Sequence, residues 1–126
     1  MVKKTVITKG RVAGFQYSPA VVAGGWCFVA GHAGVDASQN LVEGVEAQTR
    51  QTLDNITATL AEAGLSLADV VRTSVWLRSY RDLPVVDVVY AKYFPSDQPA
   101  RTAICVADLP LGARVEIDAI ALASQP

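Results

Sequence analysis

Most of the residue patterns that usually signal enzyme chemistry are missing from this chain. It has one histidine and two cysteines. Cys27 and Cys105 stand far apart in runs that read as buried strands, with neither metal-site spacing nor a disulfide framework. Two reduced thiols in a cytoplasmic protein are the expectation. With a single histidine, no Ser/His/Asp constellation can be placed. The pairs Gly24-Gly25 and Gly31/Gly34 do not open a helix as a phosphate-cradling loop would. No apolar run approaches the ~18–20 residues of a membrane helix. The opening MVKKTVITKG carries lysines but no apolar core or small-residue cleavage site, so no secretion signal is expected. Eleven Lys plus Arg against twelve Asp plus Glu leave a net charge of -1. Without a basic stretch, phosphate-driven nucleic-acid binding is not expected.

What remains is apolar and patterned. The 126 residues are 51% hydrophobic and 18% charged, which fits one domain spanning 1–126 with a full core. Three short strands are expected first: Thr5–Ile7, Ala20–Val22 and Trp26–Ala30, the last two joined at Gly24-Gly25. After a polar loop at 36–40, Val45, Thr49, Leu53, Ile56, Leu60 and Ala63 recur at spacings of 3 and 4. That stripe predicts a helix over 43–63, stopped by Gly64. Ser66 and Asp69 read as a capping box before a strand over 70–78, with Val71, Thr73, Val75 and Leu77 alternating against Arg72, Ser74, Trp76 and Arg78. A second helix is expected over 83–94, capped by Asp82, with Pro84 in its first turn and Val86, Val89, Tyr90 and Tyr93 buried. The last stretch, PARTAICVADLPLGARVEIDAIAL, reads as two strands joined in a final hairpin. The resulting order, β-β-β-α-β-α-β-β, is an α+β arrangement with two helices on one face of a sheet. The opposite face then needs another cover, and copies of the same chain are the economical one.

Charge within the last two strands marks the candidate site. Arg101 opens one and Glu116 interrupts the other, and a charge in an apolar strand is costly unless paired or holding a ligand. The acidic residues nearest to Arg101 in sequence are Asp97 and Asp108. It is either a structural arginine reaching a remote carboxylate, or a fork that holds a substrate carboxylate by two parallel bonds. Glu116 is either its structural partner or a carboxylate that places a water or moves a proton. Tyr17 either lines a pocket or closes a loop. His32 has a conceivable direct role beside Gly31. Cys105, on the Arg101 face without a nearby base, reads as a small hydrophobe rather than a nucleophile.

Pro99-Ala100-Arg101 followed by Val115-Glu116-Ile117 resembles the signature of the Rid family of enamine/imine deaminases, also known as the YjgF or L-PSP endoribonuclease-like family. The run Gln48–Ile56 and Ala63-Gly64 are similar to that family's first helix and its end, and the likeness extends over nearly the whole chain. The resemblance implies a chorismate-mutase-like fold of the bacillus type, a homotrimer and three clefts between subunits. It implies hydrolysis of 2-aminoacrylate or 2-iminopropanoate to a 2-keto acid and ammonia, with no metal or organic cofactor. Arg101 would bind the carboxylate and Glu116 would help place the water. Tyr17, Ala30, Gly31, Asp87 and Ala103 would complete the substrate site, with backbone groups holding the nitrogen. The chain departs from the family where Ala30 replaces a serine, Ala103 a cysteine, Asp87 an asparagine and His32 a glutamine. Those departures leave two alternatives, a deaminase for a different enamine and a non-catalytic module for small carboxylates; the resemblance itself adds a third, against the charge balance, an endoribonuclease.

Overall fold

The computed structural model describes residues 3–123; residues 1–2 and 124–126 of the expected domain lie outside the described residues. Strands β1 (Lys4–Ile7), β2 (Ala20–Ala23) and β3 (Trp26–His32) precede helix α1 (Val45–Glu62). Strand β4 (Val70–Leu77), helix α2 (Leu83–Tyr93), and strands β5 (Ala100–Cys105) and β6 (Val115–Leu122) complete the order expected from sequence. One six-stranded mixed sheet results, ordered β1-β2-β3-β6-β4-β5.

That order corrects the expected final hairpin. β6 lies between β3 and β4 and is antiparallel to both, while β5 runs parallel to β4 at the sheet edge. The reason is that α2 carries the chain back across one face of the sheet, so β5 returns in the direction of β4. Burial follows position. Val115, Ile117, Ala119 and Ala121 of β6 are buried, whereas β5 is exposed apart from half-buried Ala103. A small, partly polar strand suits an edge, and an alternating apolar one suits the middle. A register shift in β4 also moves one core residue: Val70 is 7% exposed and Val71 43%, the reverse of the simple alternation.

Both helices cover the same face. Leu53, Ile56 and Leu60 of α1 and Val86 and Val89 of α2 pack with Val75, Leu77 and Ile117 of the sheet. Burying each such side chain contributes ~1.5–3 kcal/mol, which holds the layers together. Tyr93 is only half-buried, and its hydroxyl donates to Asp54 Oδ1 at 2.8 Å, tying α2 to α1. Asp82 does not cap α2 with its side chain; its carboxylate accepts from Arg114 Nη2 at 2.8 Å and Nε at 3.2 Å instead. Among the described residues the opposite face carries no helix. Trp26 at 40% and Phe28 at 47% are open to solvent there, with Ile104 and Leu122 on the same side.

Candidate active site

The sheet breaks its own pattern at one place. β3 and β6 lose register between Val29 and His32, so Ala30 and Gly31 form a bulge. The Ala30 N–H donates to Pro19 O at 2.9 Å, and its carbonyl accepts from His32 Nδ1 at 2.6 Å, which fixes the peptides on both sides of this residue. A Cβ added to Gly31 would run into Glu116 Oε2 and lie 2.9 Å from its Cδ. Glycine at the bulge thus lets the main chain pass beside the carboxyl group without displacing it.

Glu116 is half-buried and points away from the helices, and among the described residues it has no ion-pair partner. Burial pushes its pKa above the usual carboxylate value, and the charge of Asp118 pushes the same way. It lines a hollow of about 270 Å³ together with Val12, Phe15, Tyr17, Ala30, Gly31, Ala33, Pro110 and Leu111. The Tyr17 hydroxyl accepts from the Val12 N–H at 2.8 Å, so it closes the loop over the hollow and lines it at once. A second hollow, about 380 Å³ and more polar in its lining, shares Val12, Tyr17, Gly31 and Ala33 and runs toward Asn55 and Thr59 of α1.

His32 has a different task from the one sequence left open. Its Nδ1–H donates to Ala30 O, so Nε2 accepts from Thr59 Oγ1, 3.0 Å away. Burial lowers its pKa, outweighing the opposite push of the Ala30 bond. A neutral ring with both nitrogens engaged braces the bulge against α1 and has none left for a substrate.

Arg101 belongs to another neighbourhood. Its Nη1 donates to Asp87 Oδ1 on α2, and its guanidinium lies over the Tyr90 ring, 5.0 Å from the centroid. Tyr90 is held in turn by a 2.8 Å hydrogen bond between its hydroxyl and Thr73 Oγ1 on β4. The partner of Arg101 is thus neither Asp97 nor Asp108, and it is not Glu116; Asp108 pairs with Arg78 at 2.9 Å. Ala103 follows on the same face of β5. Because the Val106 N–H turns inward to Leu77 O, alternation turns the main-chain groups of Arg101, Ala103 and Cys105 toward the open edge. The Cys105 thiol lies 3.2 Å from Arg78 O, to which it donates, at the far end of the strand.

Two groups of expected site residues therefore emerge. Tyr17, Ala30, Gly31 and Glu116 come together, and so do Asp87, Arg101 and Ala103. The two groups do not meet within one chain. Glu116 is in register with Trp76 and Arg101 with Thr73, which places them on opposite faces with β4 between. Three residues of strand and two strand spacings separate their backbones by roughly 10 Å in each direction. Sequence reasoning did not find Tyr90 or Thr73, although Tyr90 stood out as a buried helix residue. It also did not find Leu111, an exposed side chain on a backbone with φ of 65° at the mouth of the Glu116 hollow. The run Pro110-Leu111-Gly112 was the only signal for that turn.

Comparison with known proteins gives the family. Residues 8–123 match the model described as Endoribonuclease L-PSP. A 2-iminobutanoate/2-iminopropanoate deaminase of Bos taurus is 42% identical over 125 residues, covering 97% of this chain and 91% of the relative. The crystal structure of RidA from an Antarctic Psychrobacter superposes with a TM-score of 0.89 at 36% identity, covering 94% of this chain and 98% of that one. The crystal structure of Escherichia coli TdcF with bound serine superposes with a TM-score of 0.89 at 29% identity, covering 95% and 99%. With its bulge glycine beside a glutamate and its edge arginine, this chain belongs to the Rid family, the YjgF or endoribonuclease L-PSP group of proteins.

Proposed function

We propose that the chain hydrolyses short 2-imino acids and their enamine tautomers to 2-keto acids and ammonia, in clefts where the Arg101 edge of one copy meets the Glu116 hollow of another. The observation that carries this reading is the division of the site. One chain offers a carboxyl group that no cation among the described residues pairs with and a guanidinium at an open edge, on opposite faces of its sheet. The apolar face bearing Trp26 and Phe28 supplies the surface for association, and a homotrimer around it is part of the proposal. The reaction named for the bovine relative supports the chemistry. The serine bound in TdcF, a small carboxylate with nitrogen beside it, supports the ligand class.

Arg101 would grip the carboxylate, setting C2 of the imine against a water placed by Glu116. As the water oxygen bonds to C2, Glu116 takes a proton from it and passes it to the nitrogen, giving a carbinolamine. Glu116 then takes the hydroxyl proton and delivers it to the amino group, and as the carbon–oxygen double bond forms the carbon–nitrogen bond breaks and ammonia leaves. A carboxyl group with a raised pKa suits a relay that must both accept and return a proton. The main-chain groups of Ala103 at the edge and of Gly31 at the bulge would hold the nitrogen and the nascent carbonyl. An imine carbon is already electrophilic, so the reading includes no metal or organic cofactor. Two unpaired thiols suit a reducing compartment, and cytoplasmic residence completes the proposal.

The test is release of keto acid from iminopropionate generated in place, comparing wild type with Arg101→Ala. Equal rates, no faster than the spontaneous reaction, would remove the hypothesis. A second reading, a non-catalytic carboxylate-binding module, is favoured by the methyl groups of Ala30 and Ala103 where hydroxyl or thiol chemistry would sit. Saturable keto-acid binding without turnover of any imine, including longer enamines, would select it. RNA cleavage has no free imidazole to serve it, and only steeply salt-dependent RNA binding would revive it.

A further inference from the structure

We propose that Asp87 is a specificity-determining residue, biasing the Arg101 subsite toward ligands that carry a protonated nitrogen beside their carboxylate and against plain keto acids. The inference rests on Arg101 being the carboxylate clamp, and deepens that reading. Asp87 stands on α2 and reaches Nη1 of Arg101; among the described residues no other acceptor holds the guanidinium. The Tyr90 ring backs one side of the fork and is itself fixed to Thr73, the β4 residue in register with Arg101. The guanidinium is therefore immobilised before any ligand arrives. Its side chain keeps 26% of its surface open and that of Asp87 keeps 45%, so both face the same approach.

Charge then decides what can bind. Arg101 and Asp87 together sum to zero. A keto acid brings one negative charge, leaving a net negative cluster in which its carboxylate lies next to Asp87. A 2-iminium or 2-amino acid brings the same carboxylate and, two bonds from the carboxylate carbon, a positive nitrogen that restores neutrality. Asp87 attracts that nitrogen and repels the lone carboxylate, and at a partly exposed site both terms are moderate rather than overwhelming. For an imine hydrolase the consequence is directional. The protonated imine, which is the more electrophilic form, is favoured over the keto-acid product, and the product leaves more easily. An asparagine here would bind the guanidinium without its charge and abolish the discrimination.

The experiment is calorimetric titration with pyruvate and with alanine, which share a carbon skeleton, on wild type, Asp87→Asn, Asp87→Glu and Arg101→Ala. Asp87→Asn is expected to tighten pyruvate about 5–30-fold and to weaken alanine, shifting their affinity ratio by about tenfold or more. Asp87→Glu is expected to keep the wild-type preference. Loss of folded structure cannot move two ligands in opposite directions. Equal changes for both ligands, or none, overturn the inference while leaving the clamp intact, provided Arg101→Ala abolishes pyruvate binding. If Arg101→Ala binds pyruvate as wild type does, the clamp reading fails and this inference falls with it. Absence of pyruvate binding to both wild type and Asp87→Asn overturns it as well.

Discussion

Glu116 and Arg101 are charges on one sheet that the fold treats in opposite ways. Glu116 sits half-buried in a largely apolar hollow, with no cation paired to it among the described residues. Arg101 sits at the edge with a carboxylate on one nitrogen and an aromatic ring behind it. The first arrangement leaves a group without a charged partner among the described residues and raises its pKa; the second pairs a group and immobilises it. A carboxyl that must trade protons is useful when its two forms are close in free energy, and burial without a partner brings them closer. A cation that must grip an anion is useful when its geometry is set beforehand, and stacking with one bond does so.

The largest effect should come from removing the guanidinium. Arg101→Ala is expected to lower kcat/KM for iminopropionate by about 10²–10³-fold or more, since a charge-assisted bidentate contact is lost. Arg101→Lys should recover little of it, because an ammonium lacks the fork. Melting should barely change, as the pair with Asp87 is partly exposed and such pairs contribute ~0–1 kcal/mol. A large loss of stability with unchanged kinetics would make Arg101 structural and reverse the comparison.

Glu116→Gln should come next, and it should act on rate and stability with opposite signs. General acid–base catalysis contributes about 10²–10⁴-fold, and with an already electrophilic carbon kcat should fall by about 10²-fold, the low end of that range, while KM moves little. The folded pKa of Glu116 lies above its ordinary value, so ionising it disfavours the fold. Its favourable contribution is present at pH below the ordinary carboxylate pKa and is lost as pH rises through the folded value. Glu116→Gln should therefore melt higher than wild type at neutral pH, with the gap closing toward acid. Thermal melts across pH check the sign; a lower melting temperature at neutral pH would mean that Glu116 has a stabilising partner.

A pair of glycines sharpens the contrast between a site and its scaffold. Gly31→Ala brings a methyl group against the end of the Glu116 side chain, which can swing away. Folding should survive while turnover drops about 10–100-fold, because a displaced group loses most of its positioning benefit. Gly34→Ala brings the same methyl within 2.7 Å of Gln48 Cα and 2.8 Å of its carbonyl oxygen, and a helix backbone cannot swing away. It should destabilise by ~1–3 kcal/mol. Circular dichroism melts together with the imine assay separate the two outcomes.

How far this was legible from sequence depended on whether a residue's task was local. The stripe of Val45, Leu53, Ile56 and Leu60 specifies α1 because helical spacing is a local property. The partner of β5 was not readable, since nothing between Cys105 and Val115 records that β4 occupies the place beside β6. Arg101 stood out as an anomalous charge, and Asp87 entered the site only through the family resemblance. Their ion pair spans a crossover, and no sequence spacing encodes that distance. The bulge at Ala30 and Gly31 was invisible for the same reason, although glycine beside histidine marked the place.

His32 provides a test of whether the bulge is scaffold or machinery. With both nitrogens engaged, its removal should weaken the fold by ~1–3 kcal/mol through the unsatisfied Ala30 and Thr59 groups. Turnover in the folded fraction of His32→Ala should stay within a few-fold of wild type. The folded pKa of His32 is lowered, so the unfolded chain takes up a proton first as pH falls. Stability contributed by this residue is present above the ordinary histidine pKa and lost below it, and His32→Ala should flatten that part of the curve.

The smallest effect is expected from restoring a hydroxyl. Ala30 sits in the wall of the Glu116 hollow, with its own N–H and carbonyl already committed to Pro19 and His32. A serine side chain there would not compete for the main-chain bonds; it would add one donor and one acceptor facing the hollow. One hydrogen bond to a bound ligand contributes ~0.5–1.5 kcal/mol, so Ala30→Ser should lower KM by about 2–10-fold and leave kcat nearly unchanged. A gain in kcat instead would mean that the hydroxyl orders the attacking water, and that the Glu116 side of the cleft lacks part of its chemistry rather than part of its grip. Measuring kcat and KM separately for Ala30→Ser, alone and with Glu116→Gln, distinguishes these, because a hydroxyl acting through the water loses its benefit when the glutamate is gone.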